Sequence, residues 1–262
     1  MATSARRPRP AGRMNLWRLE WLRLIRTPRA VTLLAVFIFF GLVEPVLTRY
    51  QSKILAHVGN GVRIVVPPPT PAQGISGYIG EITGIGLIVV VVIAAGALSF
   101  DARHGLAIFL RTRVTSIWRL VMPRYTASAA ATAAAYLVGM LAAWYETDLL
   151  IGSLPAGAVF AGYLCAAVYL AFSVAVTALA ASLVRSTLAS TGIALAILLV
   201  IPIAGTFRAV HDWLPSTLVG APVELLEGTH RLVHYLPAFA VAVAVSLGAL
   251  AIAVQRLAAR EL

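Results

Sequence analysis

Six stretches of this chain are each apolar over about the 20 residues an α-helix needs to cross a bilayer, and no other feature restricts the fold as much. They run over about 31–48, 78–100, 125–145, 156–183, 188–206 and 236–254. Hydrocarbon offers no water to a backbone amide, so runs of this length fold as helices that satisfy themselves. Only 12% of residues are charged, about half the share of a soluble domain. The expected fold is all-α: a polytopic membrane protein with six transmembrane helices in one domain over 14–262.

Ahead of the first span, residues 1–13 (MATSARRPRPAGR) are basic and aperiodic and predict a disordered tail. Over 14–27, Leu16, Trp17, Leu19, Leu22 and Ile25 alternate with Arg18, Glu20, Arg23 and Arg26. That pattern predicts an N-terminal amphipathic helix lying at the membrane interface, with Trp17 and Trp21 among the headgroups. The first apolar run is too long for a signal-peptide core, and no small-x-small site follows, so an uncleaved anchor is expected.

Between the first two spans, Tyr50–Gly77 reads as an external segment in which Pro67-Pro68-Pro69 opposes a helix. The second span opens on Gly80-x-x-x-Gly84, a close-packing spacing in apolar helices. Alanine dominates the third span, which is therefore expected among other helices rather than against lipid. Glu146 and Asp148 mark a short outer turn. A second external segment, Phe207–Tyr235, is divided by Pro215 and Pro222 and moderately apolar, and predicts short re-entrant helices.

Orientation follows from arginine. With six spans and both termini inside, sixteen of the 21 basic residues fall on inside segments, the bias that cytoplasmic loops carry. The net charge of +11 thus points to anionic lipid at the cell membrane rather than to nucleic acid.

Chemical motifs are sparse. No GxxxxGK[ST], HExxH, GxSxG or CxxC occurs, so the chain has no phosphate loop of its own. Cys165 is a lone cysteine and is expected to pack. His230 and His234, with Glu227 one turn earlier, would share a face if the segment were one helix, but a metal site needs convergence as well. Glu44 and Glu81 are acids within spans, expected near the outer end. Two readings of Glu44 stand: contact with a cationic or polar substrate, or a carboxylate that reaches external water or pairs with Arg49 or Arg63. No metal is assigned.

The most distinctive polar stretch is Phe100–Arg124, FDARHGLAIFLRTRVTSIWRLVMPR, with five arginines between apolar residues. It reads as one or two short helices at the membrane surface, or as an ordinary basic inside loop.

That stretch is similar to the loop of ABC type-2 exporter permeases, often E-R-E-R-G-T-L-E-x-L-L-x-T-P-V-S-R-W-x-L-x-x-G-K. Asp101 stands at the first acid, Gly105 at the glycine, Leu110 at the first leucine of the pair, Ser116 at the serine, Trp118 at the tryptophan, Leu120 at the next leucine and Arg124 at the final base. Leu106, Ile108, Arg111, Val114 and Pro123 depart from the pattern. The end of the chain, Ala-Arg-Glu-Leu, and the six-span layout with its preceding amphipathic helix resemble the family too.

The resemblance implies a coupling helix between spans two and three. It also implies pairing with a second permease subunit, identical or different, and docking of two copies of a cytoplasmic ABC ATPase. Asp101, Arg103, Gly105, Leu106, Phe109, Leu110, Arg111, Trp118 and Arg119 would form the docking surface. ATP and Mg would belong to that partner; the chain itself would be no enzyme, hold no cofactor and export an amphipathic small molecule or drug. Glu44 and Glu81 are candidates for the substrate path. A lipid or lipid-linked glycan as cargo, an intramembrane enzyme, and a structural or sensory membrane subunit are the other readings.

Overall fold

The computed structural model describes residues 16–58, 67–99 and 117–259. Helix α1 (Leu16–Arg26) is followed at once by α2 (Pro28–Val58). Helix α3 (Pro71–Glu81), a π-helical turn (Ile82–Gly86) and α4 (Leu87–Leu98) make one span. Then come α5 (Trp118–Leu150), α6 (Ala156–Leu183), α7 (Thr187–Ala204), the short α8 (Arg208–His211), α9 (Thr217–Glu227) and α10 (Leu236–Ala259). Six helical segments are long and apolar enough to cross a membrane, and among the described residues there is no strand. The protein is an all-α polytopic membrane protein.

The helices overrun the apolar runs. Helix α2 continues to Val58 and α3 begins at Pro71, so the expected external segment Tyr50–Gly77 is helical at both ends. The proline run does not oppose α3; it stops ahead of it. Proline at the first helical position costs no hydrogen bond, and the Gln73 amide oxygen accepts the Thr70 N–H at 3.0 Å. Helix α5 starts seven residues before the expected third span and carries Glu146 and Asp148 on its last turns, not in a turn. Residues 1–13, most of the Phe100–Arg124 stretch and Arg260 lie outside the described residues.

Helix α6 is the centre of the body. It contacts α4, α5, α7, α9 and α10, and 72% of its most apolar window is buried, against 17% for α7. Its two faces serve two cores. Ala166, Leu170, Val174 and Ala178 join the core made with α2, α3 and α5. Cys165, Tyr169, Phe172, Val176 and Ala180 join the one made with α7, α9 and α10. Each set recurs at spacings of three or four, one helical stripe per core. Cys165 is the expected packing residue. Buried hydroxyls close back on their own helix: Ser173 donates to the Leu170 carbonyl at 2.7 Å and Thr177 to that of Ser173 at 2.8 Å.

Glycine is used for close approach, but not at the expected pair. A Cβ at Gly80 or Gly84 would meet nothing within 4 Å. The tight contact joins α2 to α5, where a Cβ on Gly139 would stand 2.5 Å from the Phe37 carbonyl oxygen, and one on Gly41 would strike the Gly139 carbonyl. Gly162 of α6 likewise lies on the backbone of Pro222, which seats α9 about six residues inside the span. The segment between α7 and α10 is thus tucked against protein, where non-spanning helices are tolerated at membrane depth.

Helix α1 turns Trp17, Leu19, Trp21, Leu22 and Ile25 outward and fastens its other side to α5. The Arg124 Nε donates to Glu20 Oε1 at 3.0 Å, with Arg124 only 6% exposed. This buried pair was not foreseen, although Glu20 is the one acid in a helix of three arginines. Removing one member of a buried ion pair costs roughly 3 kcal/mol or more. Glu20→Gln is therefore expected to lower the detergent-solubilised melting temperature clearly, whereas Arg18→Gln on the exposed side leaves it unchanged.

Candidate functional site

Glu44 of α2 and Glu81 at the end of α3 meet across the first two spans. The Glu44 carboxylate lies over Gly77: a Cβ there would stand 2.8 Å from Oε2. Gly77 and Glu81 are four apart and share a helix face, and the two carboxylates are near enough to interact electrostatically. Both are half-buried. Glu44 stands about eleven residues before Leu55 and Glu81 about ten after Pro71, so at 1.5 Å per residue each is about 15 Å from the end of its helical stretch on that side.

Each acid immediately precedes an irregularity in its helix. Pro45 follows Glu44 within α2 and has no N–H, so the carbonyl four residues back loses its helical donor. The π-helical turn follows Glu81 directly. Such single turns concentrate at functional positions in helices. Within it the Thr83 hydroxyl donates to the Ile79 carbonyl at 2.7 Å.

Behind the acids stands a ladder of tyrosines. The rings of Tyr78 and Tyr136 stack at 5.9 Å, and those of Tyr136 and Tyr163 at 5.5 Å. The Tyr78 hydroxyl donates to the Tyr136 carbonyl at 3.1 Å, and that of Tyr163 to the Ala133 carbonyl at 3.2 Å. The ladder ties α3, α5 and α6 together. Tyr78 and Tyr136 have no exposed surface and belong to the first core. No spacing in the sequence signals this ladder.

Of the residues implied in docking, Asp101, Arg103, Gly105, Leu106, Phe109, Leu110 and Arg111 lie outside the described residues. Trp118 and Arg119 open α5 and are both exposed at its arginine-rich end.

At the opposite end, Glu227, His230 and His234 do not share a helix. Gly228 at φ 70° ends α9 after Glu227. Glu224 takes the role instead, accepting from the Tyr235 hydroxyl and lying 3.4 Å from His230 Nδ1, while His234 Nε2 lies 3.6 Å from Asp212. The two imidazoles stack at 4.3 Å with planes 22° apart. Ring lone pairs lie in those planes and run side by side, so they do not converge on one ion. Among the described residues no three His, Cys, Asp or Glu are placed to hold a metal.

No family model matches the chain, and no solved structure matches it. It is similar to an uncharacterized transmembrane protein, YxlG, of Bacillus subtilis, with 20% identity over 140 residues. The match covers 52% of this chain and 54% of that protein, so the chain spans about half the length of its relative. Helices and relative agree at one level. The chain is a multi-pass membrane protein.

Proposed function

We propose that this protein is the permease subunit of an ATP-driven ABC exporter, moving amphipathic small molecules with a cationic or polar group. The observation that carries the reading is the pair Glu44 and Glu81 on facing turns of the first two spans, each beside an irregularity in its helix. Acids within spans are expensive and mark pathways, and Pro45 leaves a carbonyl of α2 without its helical donor. An amphipathic cation with an apolar body suits such a site.

A long lever leads to that site. Helix α5 runs from the exposed Trp118 and Arg119 at the arginine-rich end to Leu150, and it packs along α2, which carries Glu44. Force on the first turn of α5 reaches the acids through the Gly41–Gly139 contact. In this reading the arginine-rich end is cytoplasmic in the plasma membrane, and two ATPase copies holding ATP and Mg act on two paired permease subunits.

Phe109→Glu in the docking loop tests it. ATP hydrolysis by the co-purified complex is expected to persist while export falls at least about tenfold, with insertion unchanged. Export at the wild-type rate removes the coupling role, and purification without any ATPase removes the exporter reading.

A further inference from the structure

A cluster of ionisable groups lies at the other end of the bundle from the arginines, where α8, α9 and the 3-10 turn leading into α10 (Leu232–Tyr235) meet. The stacked rings of His230 and His234 form its middle. His230 Nδ1 lies 3.4 Å from Glu224 Oε2 of α9, and His234 Nε2 lies 3.6 Å from Asp212 Oδ1, just past α8. Each ring thus faces a carboxylate of a different segment. His211 also lies on Asp212, at 3.2 Å, but adjoins it in sequence and ties nothing across. Glu227 and Arg231 are exposed, and Arg231 pairs with neither carboxylate. Helix α6, on which α9 rests, carries no charged side chain; α3 has only Glu81, which faces Glu44, and α10 only Arg256 near its far end. Among the described residues, histidines are therefore the cations that can form within 4.0 Å of Glu224 or Asp212.

Histidine is the side chain that changes charge between about pH 5 and 8. At the basic end two neutral rings stack. At the acidic end each ring is a cation beside a carboxylate. The two imidazolium ions then repel across the 4.3 Å stack, but each has an opposite charge nearer than that, at 3.4 and 3.6 Å. Coulomb energy rises as distance falls, so two close attractions outweigh one longer repulsion. What they join is already anchored. Glu224 accepts from the hydroxyl of Tyr235, a residue of the second core, and α9 rests on α6 where Pro222 meets Gly162. We propose that His230 and His234 are a proton-operated latch, which fastens α8 and α9 to the start of α10 in acid and loosens as the pH rises. Contacts that need protonated histidine are complete at low pH and are lost as the imidazoles give up their protons. Nothing in the latch depends on what the spans carry.

Hydrogen–deuterium exchange of the full-length protein in detergent, read by mass spectrometry and corrected for intrinsic rates, follows local opening of α8 and α9 at about pH 5.5 and about pH 8. Part-exposed ion pairs each contribute a factor of about 1.5 to 5. The wild-type amides should therefore exchange about threefold more slowly at the acidic value. His230→Gln/His234→Gln should show no such difference, and its melting temperature at the basic value, where the latch is open in both proteins, should match wild type. Asp212→Asn, an exposed change that keeps both rings, should lose roughly half of the difference, and His211→Gln should keep it. Equal exchange at the two values in the wild type, or faster exchange in acid, would overturn the latch. So would a difference that persists in the double variant, or one that vanishes in His211→Gln.

Discussion

Alanine at position 139 is expected to cost this protein its folded state. Its Cβ would stand 2.5 Å from the Phe37 carbonyl oxygen and 2.8 Å from the carbonyl carbon, and would also strike the Tyr78 hydroxyl. Real Cβ atoms do not approach backbone that closely, and a helix backbone cannot step aside as a side-chain tip does. Helix α2 must move off α5, which separates the Phe37, Tyr78 and Tyr136 rings at the heart of the first core. Overpacking typically costs roughly 1–3 kcal/mol and occasionally more, and a clash against helix backbone stands at the upper end, a large part of a typical folding free energy. The control is Gly80→Ala, whose Cβ meets nothing and which gains helix propensity of up to about 1 kcal/mol. Thermal melts in detergent should show Gly139→Ala unfolded or far less stable, and Gly80→Ala equal to or above wild type. A wild-type melt for Gly139→Ala would mean that α2 and α5 do not touch there.

On the exporter reading, loss of Glu44 or Glu81 is expected to reduce transport at least about tenfold, equivalent to about 1.4 kcal/mol. Glu44→Gln and Glu81→Gln keep shape and volume while removing charge, and neither residue is fully buried, so folding should survive. If the acids form one site, the double variant should transport no worse than the poorer single variant, because groups acting as a unit are not additive. Glu44→Ala with unaltered substrate range and rate would return Glu44 to the other reading, a carboxylate reaching water. Additive losses in the double variant would show two separate roles.

Much of this was legible in the residues. Apolar runs near 20 residues required helices, since the backbone has nowhere else to bond, and the structure has the six spans. The outward tryptophans of α1 and the packing of Cys165 follow from side-chain type alone. Helix ends were less legible: polar residues such as Glu146 and Asp148 extend a helix beyond the bilayer as readily as they end one, because water tolerates both. Within this chain no neighbour fills the Gly80-x-x-x-Gly84 pair. Two glycines four apart permit a close approach, but whether a partner helix passes there depends on the whole bundle.

Local pattern therefore decided how many spans this chain makes, their composition and the end of the bundle where its arginines gather, because each follows from whether a short segment prefers hydrocarbon or water. Only the three-dimensional arrangement decided that α6 is central, that Gly139 lies against Phe37, that Glu20 meets Arg124, and that Glu44 and Glu81 come onto facing turns. Those are pairings between residues 37 to 104 positions apart, set by the mutual packing of helices whose apolar surfaces are nearly interchangeable in composition.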